Sequence, residues 1–119
     1  MDIFYTPKQV NTNSNMGMSL SKSPLKPKLV VAKLLSGNHS KNILVHDFAW
    51  LTQADFEIAH EKSYVAEFLT GGKRSESNGI PWSKEMVESV ASTNGSLYNA
   101  LKYATDNENA FVLSPTSGF

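Results

Sequence analysis

Short apolar runs alternate with helical patterns along this chain of 119 residues, and this order restricts the fold more than any other feature. Strand-like runs are predicted at 2–6, 42–46 and 110–113, with helical segments between them. Connections that contain a helix favour parallel pairing of the strands they join and place helices on the faces of the sheet. The sequence therefore predicts an α/β fold, in three layers with a mainly parallel sheet, as one domain over residues 1–119.

Capping residues predict where the shorter helices begin and end. Pro27 suits the first turn of a helix over 29–35, and Gly37 is expected to end that helix in the left-handed conformation. Thr52-x-x-Asp55 is an imperfect capping box for a brief helix. The helix that follows carries apolar residues at 64, 65, 68 and 69 on one face and is expected to close at Gly71.

A long helix is predicted from Ser83, which can act as its N-cap, to about Thr105. Asn94-Gly95 interrupts its middle, and a glycine there indicates close packing or a kink, because it costs about 1 kcal/mol relative to alanine. Helical periodicity predicts an inward face made of Met86, Val87, Val90, Leu97, Leu101 and Ala104.

The last ten residues, AFVLSPTSGF, are typical of a buried strand that runs into a loop. Four apolar residues bounded by Ser-Pro suit an interior strand of a parallel sheet. Open α/β sheets bind their ligands in the loops at the carboxyl ends of such strands. We therefore expect the loop that reaches Phe119 to lie beside a ligand site, with the catalytic residues beyond it.

Charge and composition disfavour several partners and compartments. Lysine plus arginine equals aspartate plus glutamate, 11 against 11, so no electrostatic argument favours nucleic acid or an anionic membrane. The chain has no cysteine, which excludes a thiolate nucleophile, a disulfide and a thiolate zinc site within it. The first residues lack the pattern of a signal peptide, and no apolar run is long enough to span a bilayer. These features predict a cytoplasmic protein without a membrane or nucleic-acid partner.

The residues alone give no complete catalytic set. His39, His46 and His60 do not pair at the i, i+4 spacing that places two imidazoles on one helical face. The Gly71-Gly72-Lys73 run follows a helix and has the wrong spacing for a phosphate loop, and no Gly-x-Ser-x-Gly elbow is present. From the residues themselves we assign no catalytic residue and no metal ligand.

Several segments nevertheless match one enzyme family in its own order. The helix HEKSYVAEFL at 60–69 resembles a helix of the zinc-dependent histone deacetylases and acetylpolyamine amidohydrolases. The loop NGIP at 78–81, the helix with TNGS at 93–96, and SPLKP at 23–27 are similar to further segments of that family. The stretch FVLSPTSGF at 111–119 resembles the strand and loop that lead to the family's His-His-Ala catalytic motif.

This resemblance implies the N-terminal portion of an arginase–deacetylase fold, and the hydrolysis of acetyl-lysine or an acetylated polyamine by a zinc enzyme. It implies substrate-binding roles for Asn78 and Gly79, at the pocket rim, and for Gly118 and Phe119, just before the histidine pair. The family's paired histidines and its zinc ligands would lie beyond this chain. We therefore expect a partial, truncated deacetylase-like domain that holds no cofactor and is inactive by itself.

Two other hypotheses stay open: a small non-enzymatic interaction module, and one half of a split enzyme. The truncated domain is also expected to leave an unpaired strand edge that recruits other chains, so we predict a homo-oligomer formed through that edge.

Overall fold

The computed structural model describes residues 1–10, 25–73 and 81–116. Three short strands alternate with four α-helices: β1 (Asp2–Phe4), α1 (Lys26–Leu35), β2 (Leu44–His46), α2 (Gln53–Phe56), α3 (Lys62–Thr70), α4 (Lys84–Asp106) and β3 (Val112–Leu113). Single 3-10 turns occur at Pro7–Gln9 and Ser40–Asn42. The predicted order of strands and helices is confirmed for the described part of the chain.

The strands form a three-stranded parallel sheet in the order β2-β1-β3. The first strand is central: Ile3 lies opposite Val45 on one side and opposite Leu113 on the other. Ile3 is fully buried, and Phe4 almost so. The fold is therefore α/β with a parallel sheet, as the alternation of elements predicts.

Helix α4 covers the sheet face that carries Phe4 and His46. The ring of Tyr103 lies 5.6 Å from that of Phe4 and 5.0 Å from that of His46, centroid to centroid. Ser83 caps the helix by accepting a hydrogen bond from the Met86 N–H at 3.0 Å, as predicted. Among the described helices, none combines the length and apolar character needed to cross a membrane.

The inward face of α4 differs from the predicted one. The residues that it buries are mostly small: Met86, Ser89, Ser92, Gly95, Ser96 and Ala100. Leu97, Leu101 and Ala104, all expected to point inward, are exposed, Leu97 to 48% and Leu101 to 61%. The prediction is confirmed for Met86 and was wrong for Leu97, Leu101 and Ala104, because helical periodicity selects the most apolar face, whereas close approach to neighbouring backbone requires the face with the smallest side chains.

Gly95 is the point of closest approach between α4 and the segment after β2. A Cβ at Gly95 would lie 2.7 Å from the Ala49 carbonyl oxygen and 2.8 Å from the Trp50 Cα. The Leu51 N–H also donates to the Ala91 carbonyl across this contact, at 3.2 Å. The interpretation of Asn94-Gly95 as a close-packing site is confirmed.

The last described strand lies at an edge of the sheet. β3 pairs with β1 on one side, and its two residues are half-buried. The side chain of Phe111, just before it, is 70% exposed. The expectation of a buried strand over 110–113 was therefore wrong for the described residues, whereas the expected unpaired strand edge is present among them.

Besides the Ser83 cap, two further predicted helix ends are confirmed and one is not. Thr52 and Asp55 form the capping box: the Thr52 N–H donates to Asp55 Oδ2 at 2.6 Å, and the Asp55 N–H donates to Thr52 Oγ1 at 3.4 Å. Gly71 ends α3 in the left-handed conformation at φ 82°. Helix α1 instead ends at Ser36 in a right-handed conformation, and Gly37 does not have a positive φ.

Candidate functional site

The substrate-binding residues suggested by the resemblance, Asn78, Gly79, Gly118 and Phe119, lie outside the described residues. The parts of the chain that lead to Gly118 and Phe119 are described as far as Thr116. The geometry of the candidate site is therefore built from the carboxyl ends of β1 and β3, which flank that approach.

Gln9 joins the carboxyl end of β1 to the segment that follows β3. Its Oε1 accepts a hydrogen bond from the Thr6 N–H at 2.8 Å, and its Nε2 donates to the Pro115 carbonyl at 3.2 Å. The side chain is 1% exposed. A buried amide with both ends bonded holds its partners in place, because breaking either bond would leave a buried polar group unpaired.

Serines of α4 fix the same two segments from the helix side. Ser96 Oγ donates to the Phe4 carbonyl at 2.5 Å and lies 2.7 Å from Ser114 Oγ. Ser89 Oγ donates to the Gln9 carbonyl at 2.9 Å. Both serines are buried. Together with Gln9 they form a polar cluster that we call the Gln9–Ser89–Ser96 clamp. It holds Ser114 and Pro115, where the chain leaves the sheet.

This clamp contains no titratable group. Its hydrogen bonds hold the backbone of the residues that they join in place, and we assign it no other role. Sequence reasoning missed all three residues. A signal was present: Ser89, Ser92 and Ser96 recur at i, i+3 and i+7, which places three small polar side chains on one helical face. A local pattern also marks Gln9, because Thr6-x-x-Gln9 has the spacing of a capping box and the Gln9 side chain accepts from the Thr6 N–H. The bond from Gln9 to Pro115 has no such signal, since it joins residues 106 positions apart.

A second polar group joins β1, β2 and α4. His46 Nε2 lies 2.7 Å from Asp2 Oδ1, and the His46 ring stacks on Phe4 with centroids 4.8 Å apart. The hydrogen bond with His46 is the main factor that lowers the pKa of Asp2 below its ordinary value of 3.8. Desolvation, followed by the nearby Asp2 carboxylate, raises the pKa of Tyr103. Asp2, His46 and Tyr103 thus link β1, β2 and α4.

A cavity of about 280 Å³ lies between α2, α3 and α4. Apolar side chains form most of its wall, including Phe56, Val65, Phe68 and Val90. Asp55, His60 and Tyr64 supply polar groups to the same cavity, and the His60 and Tyr64 rings meet at 5.9 Å with a tilt of 56°. It is a small, mainly apolar site with an acidic group.

The described residues do not fit a catalytic zinc ion. Within them, no group of three or more histidine, cysteine, aspartate or glutamate side chains converges. His46 is engaged with Asp2, and His60 packs against Tyr64. A zinc site of the expected family requires three protein ligands with an open fourth position, so no catalytic step is derived through a metal on these residues.

Comparisons with protein families, with curated proteins and with solved structures found no match to this chain.

Proposed function

We propose that this chain is the N-terminal scaffold of a zinc-dependent, deacetylase-like amidohydrolase that acts on acetyl-lysine or on acetylated polyamines. In this proposal the three-stranded sheet is part of a larger three-layer arginase–deacetylase fold. The metal ligands and the paired histidines belong to residues outside this chain. The sequence resemblance suggests the family, and one observation supports the architecture: no described strand pairs with the outer edge of β3, and apolar side chains lie beside that edge.

The apolar side chains form a stripe on α4. Leu97, Leu101 and Ala104 recur at i, i+4 and i+7, which places them on one side of the helix. We call them the α4 stripe.

The orientation of this stripe follows from contacts on the other side of α4. Gly95 packs against Ala49, and Asn99 Nδ2 donates to the Ala49 carbonyl at 3.1 Å. Ala49 follows β2, so this side of α4 faces the β2 edge. At 3.6 residues per turn the stripe lies on the opposite side, toward the β3 edge. A strand added next to β3 would pair with its free backbone groups and pack under the α4 stripe.

In this proposal, the clamp orients the chain that leads from β3 to the active site. Gln9 and Ser96 hold the backbone around Ser114 and Pro115, and the chain then continues toward Gly118 and Phe119. In the proposal this fixes the approach to the active site, with Asn78 and Gly79 at its rim. The absence of cysteine agrees with the cytoplasmic location that forms part of the proposal.

The coding sequence downstream of Phe119 provides the first test. We expect an in-frame His-His-Ala motif followed by two aspartates and a histidine that bind zinc. The protein encoded in that way should release acetate from an acetyl-lysine peptide or an acetylpolyamine, and a chelator should abolish the release. The 119-residue chain alone should be inactive in the same assay. Chelator-sensitive turnover by the 119-residue chain would overturn the assignment of the ligands to other residues.

A second candidate function is a non-enzymatic interaction module, and the same open edge favours it. A free parallel edge beside an apolar stripe is suited to pairing with another chain. A second copy would give a homo-oligomer through the β3 edge, and a separate catalytic polypeptide would give a split enzyme. A stop codon after Phe119 and a neighbouring gene that encodes the zinc ligands would favour the split enzyme. A stop codon without such a gene would favour the module and exclude the amidohydrolase.

A further inference from the structure

The cavity between α2, α3 and α4 is small, and most of its wall is apolar. Phe56 of α2 and Val65 and Phe68 of α3 line it, and Val90 of α4 closes one side. Its volume of about 280 Å³ is near the lower end of the range of roughly 300–1,000 Å³ that small-molecule sites occupy. Such a volume accommodates one ring or one short branched chain, and no more.

The described residues that line the cavity include one acidic group. Among the described residues that line it, Asp55 supplies the single carboxylate, and none is a lysine or an arginine. Hydrogen bonds from the Thr52 hydroxyl and backbone N–H lower the pKa of Asp55, so the carboxylate is charged at neutral pH. Both of these bonds end on Oδ2, and Oδ1 takes part in neither. A second lone-pair-bearing oxygen is thus left to accept from a ligand.

The aromatic groups beside Asp55 also suit a positive charge. The faces of tyrosine rings attract ammonium groups, and Tyr64 lines the cavity together with His60. The cavity thus offers a cation both a carboxylate and an aromatic ring. An anionic ligand would meet the Asp55 carboxylate, and no described lysine or arginine lines the cavity to offset the cost of its desolvation.

We propose that this cavity is a binding site for a small primary amine with a compact apolar or aromatic body. The ammonium group donates to Asp55 Oδ1, and the body lies against Phe56, Val65 and Phe68. The inference uses described residues of this chain alone, and it does not rest on the proposed amidohydrolase function.

The test compares three probes that share one body: 2-phenylethylamine, 2-phenylethanol and phenylacetate. Each is titrated into the ¹⁵N-labelled chain at pH 7, and the backbone amide shifts of α2, α3 and α4 are followed. We expect the amine to bind with a Kd of about 1 mM or lower, and at least tenfold more tightly than the alcohol or the acid. Equal binding of the three probes, or no saturable binding of the amine, overturns the proposal.

Variants locate the site and separate charge from shape. Asp55→Asn keeps an oxygen that can accept from Thr52 but removes the charge, so the preference for the amine over the alcohol should disappear. Ala59→Phe adds a ring to the cavity from an exposed position and should weaken amine binding at least fivefold. Ala66→Phe is the matched control, since Ala66 is exposed on α3 outside the cavity, and it should bind as the native chain does. Unchanged affinity in a folded Ala59→Phe variant, verified by its circular dichroism, refutes the location.

Discussion

Replacing Gly95 by alanine tests the close contact between α4 and the segment after β2. In a free helix this change would stabilise the protein by about 1 kcal/mol, because alanine has the higher helix propensity. At position 95 the new methyl group would lie 2.7 Å from the Ala49 carbonyl oxygen and 2.8 Å from the Trp50 Cα. Both atoms belong to backbone, so no side-chain rotation can relieve the overlap. The segment after β2 must move away from α4.

The cost of that movement has two parts. Overpacking of a well-packed contact costs typically about 1–3 kcal/mol. The movement also strains the hydrogen bonds from Leu51 N–H to Ala91 O and from Asn99 Nδ2 to Ala49 O, each worth about 1 kcal/mol when intact. After the gain in propensity is subtracted, we expect the free energy of unfolding to fall by about 2 kcal/mol.

Urea denaturation followed by far-ultraviolet circular dichroism measures this difference. Gly37→Ala is the matched control, because its Cβ would lie at ordinary contact distances of 3.5 and 3.6 Å from the nearest carbonyl oxygens. It should change the unfolding free energy by less than about 1 kcal/mol. A Gly95→Ala variant that is more stable than the native chain would refute the packing of residues 49–51 on α4.

Three further changes have defined outcomes. Ser96→Ala leaves the buried Phe4 carbonyl without its donor and should cost about 1–3 kcal/mol in urea denaturation, whereas Ser36→Ala, at an exposed helix end, should cost less than about 0.5 kcal/mol. Asp2 has a lowered pKa when folded, so its stabilising contribution is complete above the ordinary value of 3.8 and is lost as the pH falls through the lowered value. The unfolding free energy of the native chain should therefore decline more steeply below about pH 4 than that of Asp2→Asn, and parallel pH profiles would contradict this. Leu101→Lys should reduce self-association of the isolated chain in sedimentation experiments. Leu29→Lys, on α1 and equally exposed at 61%, should not. Identical behaviour of the two variants would exclude the α4 stripe as the contact.

Local signals in the sequence predicted the elements well. Capping at Thr52 and Ser83 and the glycine at 71 mark helix ends through interactions within a few residues, and such interactions do not depend on the tertiary fold. The parallel sheet was also predictable from the order of strands and helices, because strands joined by helices have few other arrangements. Gly37 shows the limit of this reasoning: its position after a helix is typical of a left-handed cap, yet Ser36 already ends α1 in a right-handed conformation.

Non-local contacts explain what the sequence did not predict. The face that α4 buries depends on how near the neighbouring backbone lies, and the requirement for small residues at Ser92 and Gly95 outweighs the apolar periodicity of Leu97 and Leu101. The clamp depends on Gln9 meeting Pro115, two residues with no local relation. The resemblance suggests roles for residues 78, 79, 118 and 119, which lie outside the described part of the chain, so those roles stay predictions.

The central place of β1 has a consequence for synthesis on the ribosome. Ile3 and Phe4 are translated before their neighbours on either side, which are Val45 and His46 of β2 and Leu113 of β3. The pairing of Ile3 with Leu113 joins residues 110 positions apart, so the β3 side of β1 stays without this partner until β3 has been translated. Closure over so long a separation is intrinsically slow. During that interval, this side of β1 presents the kind of short, extended apolar segment that chaperones bind.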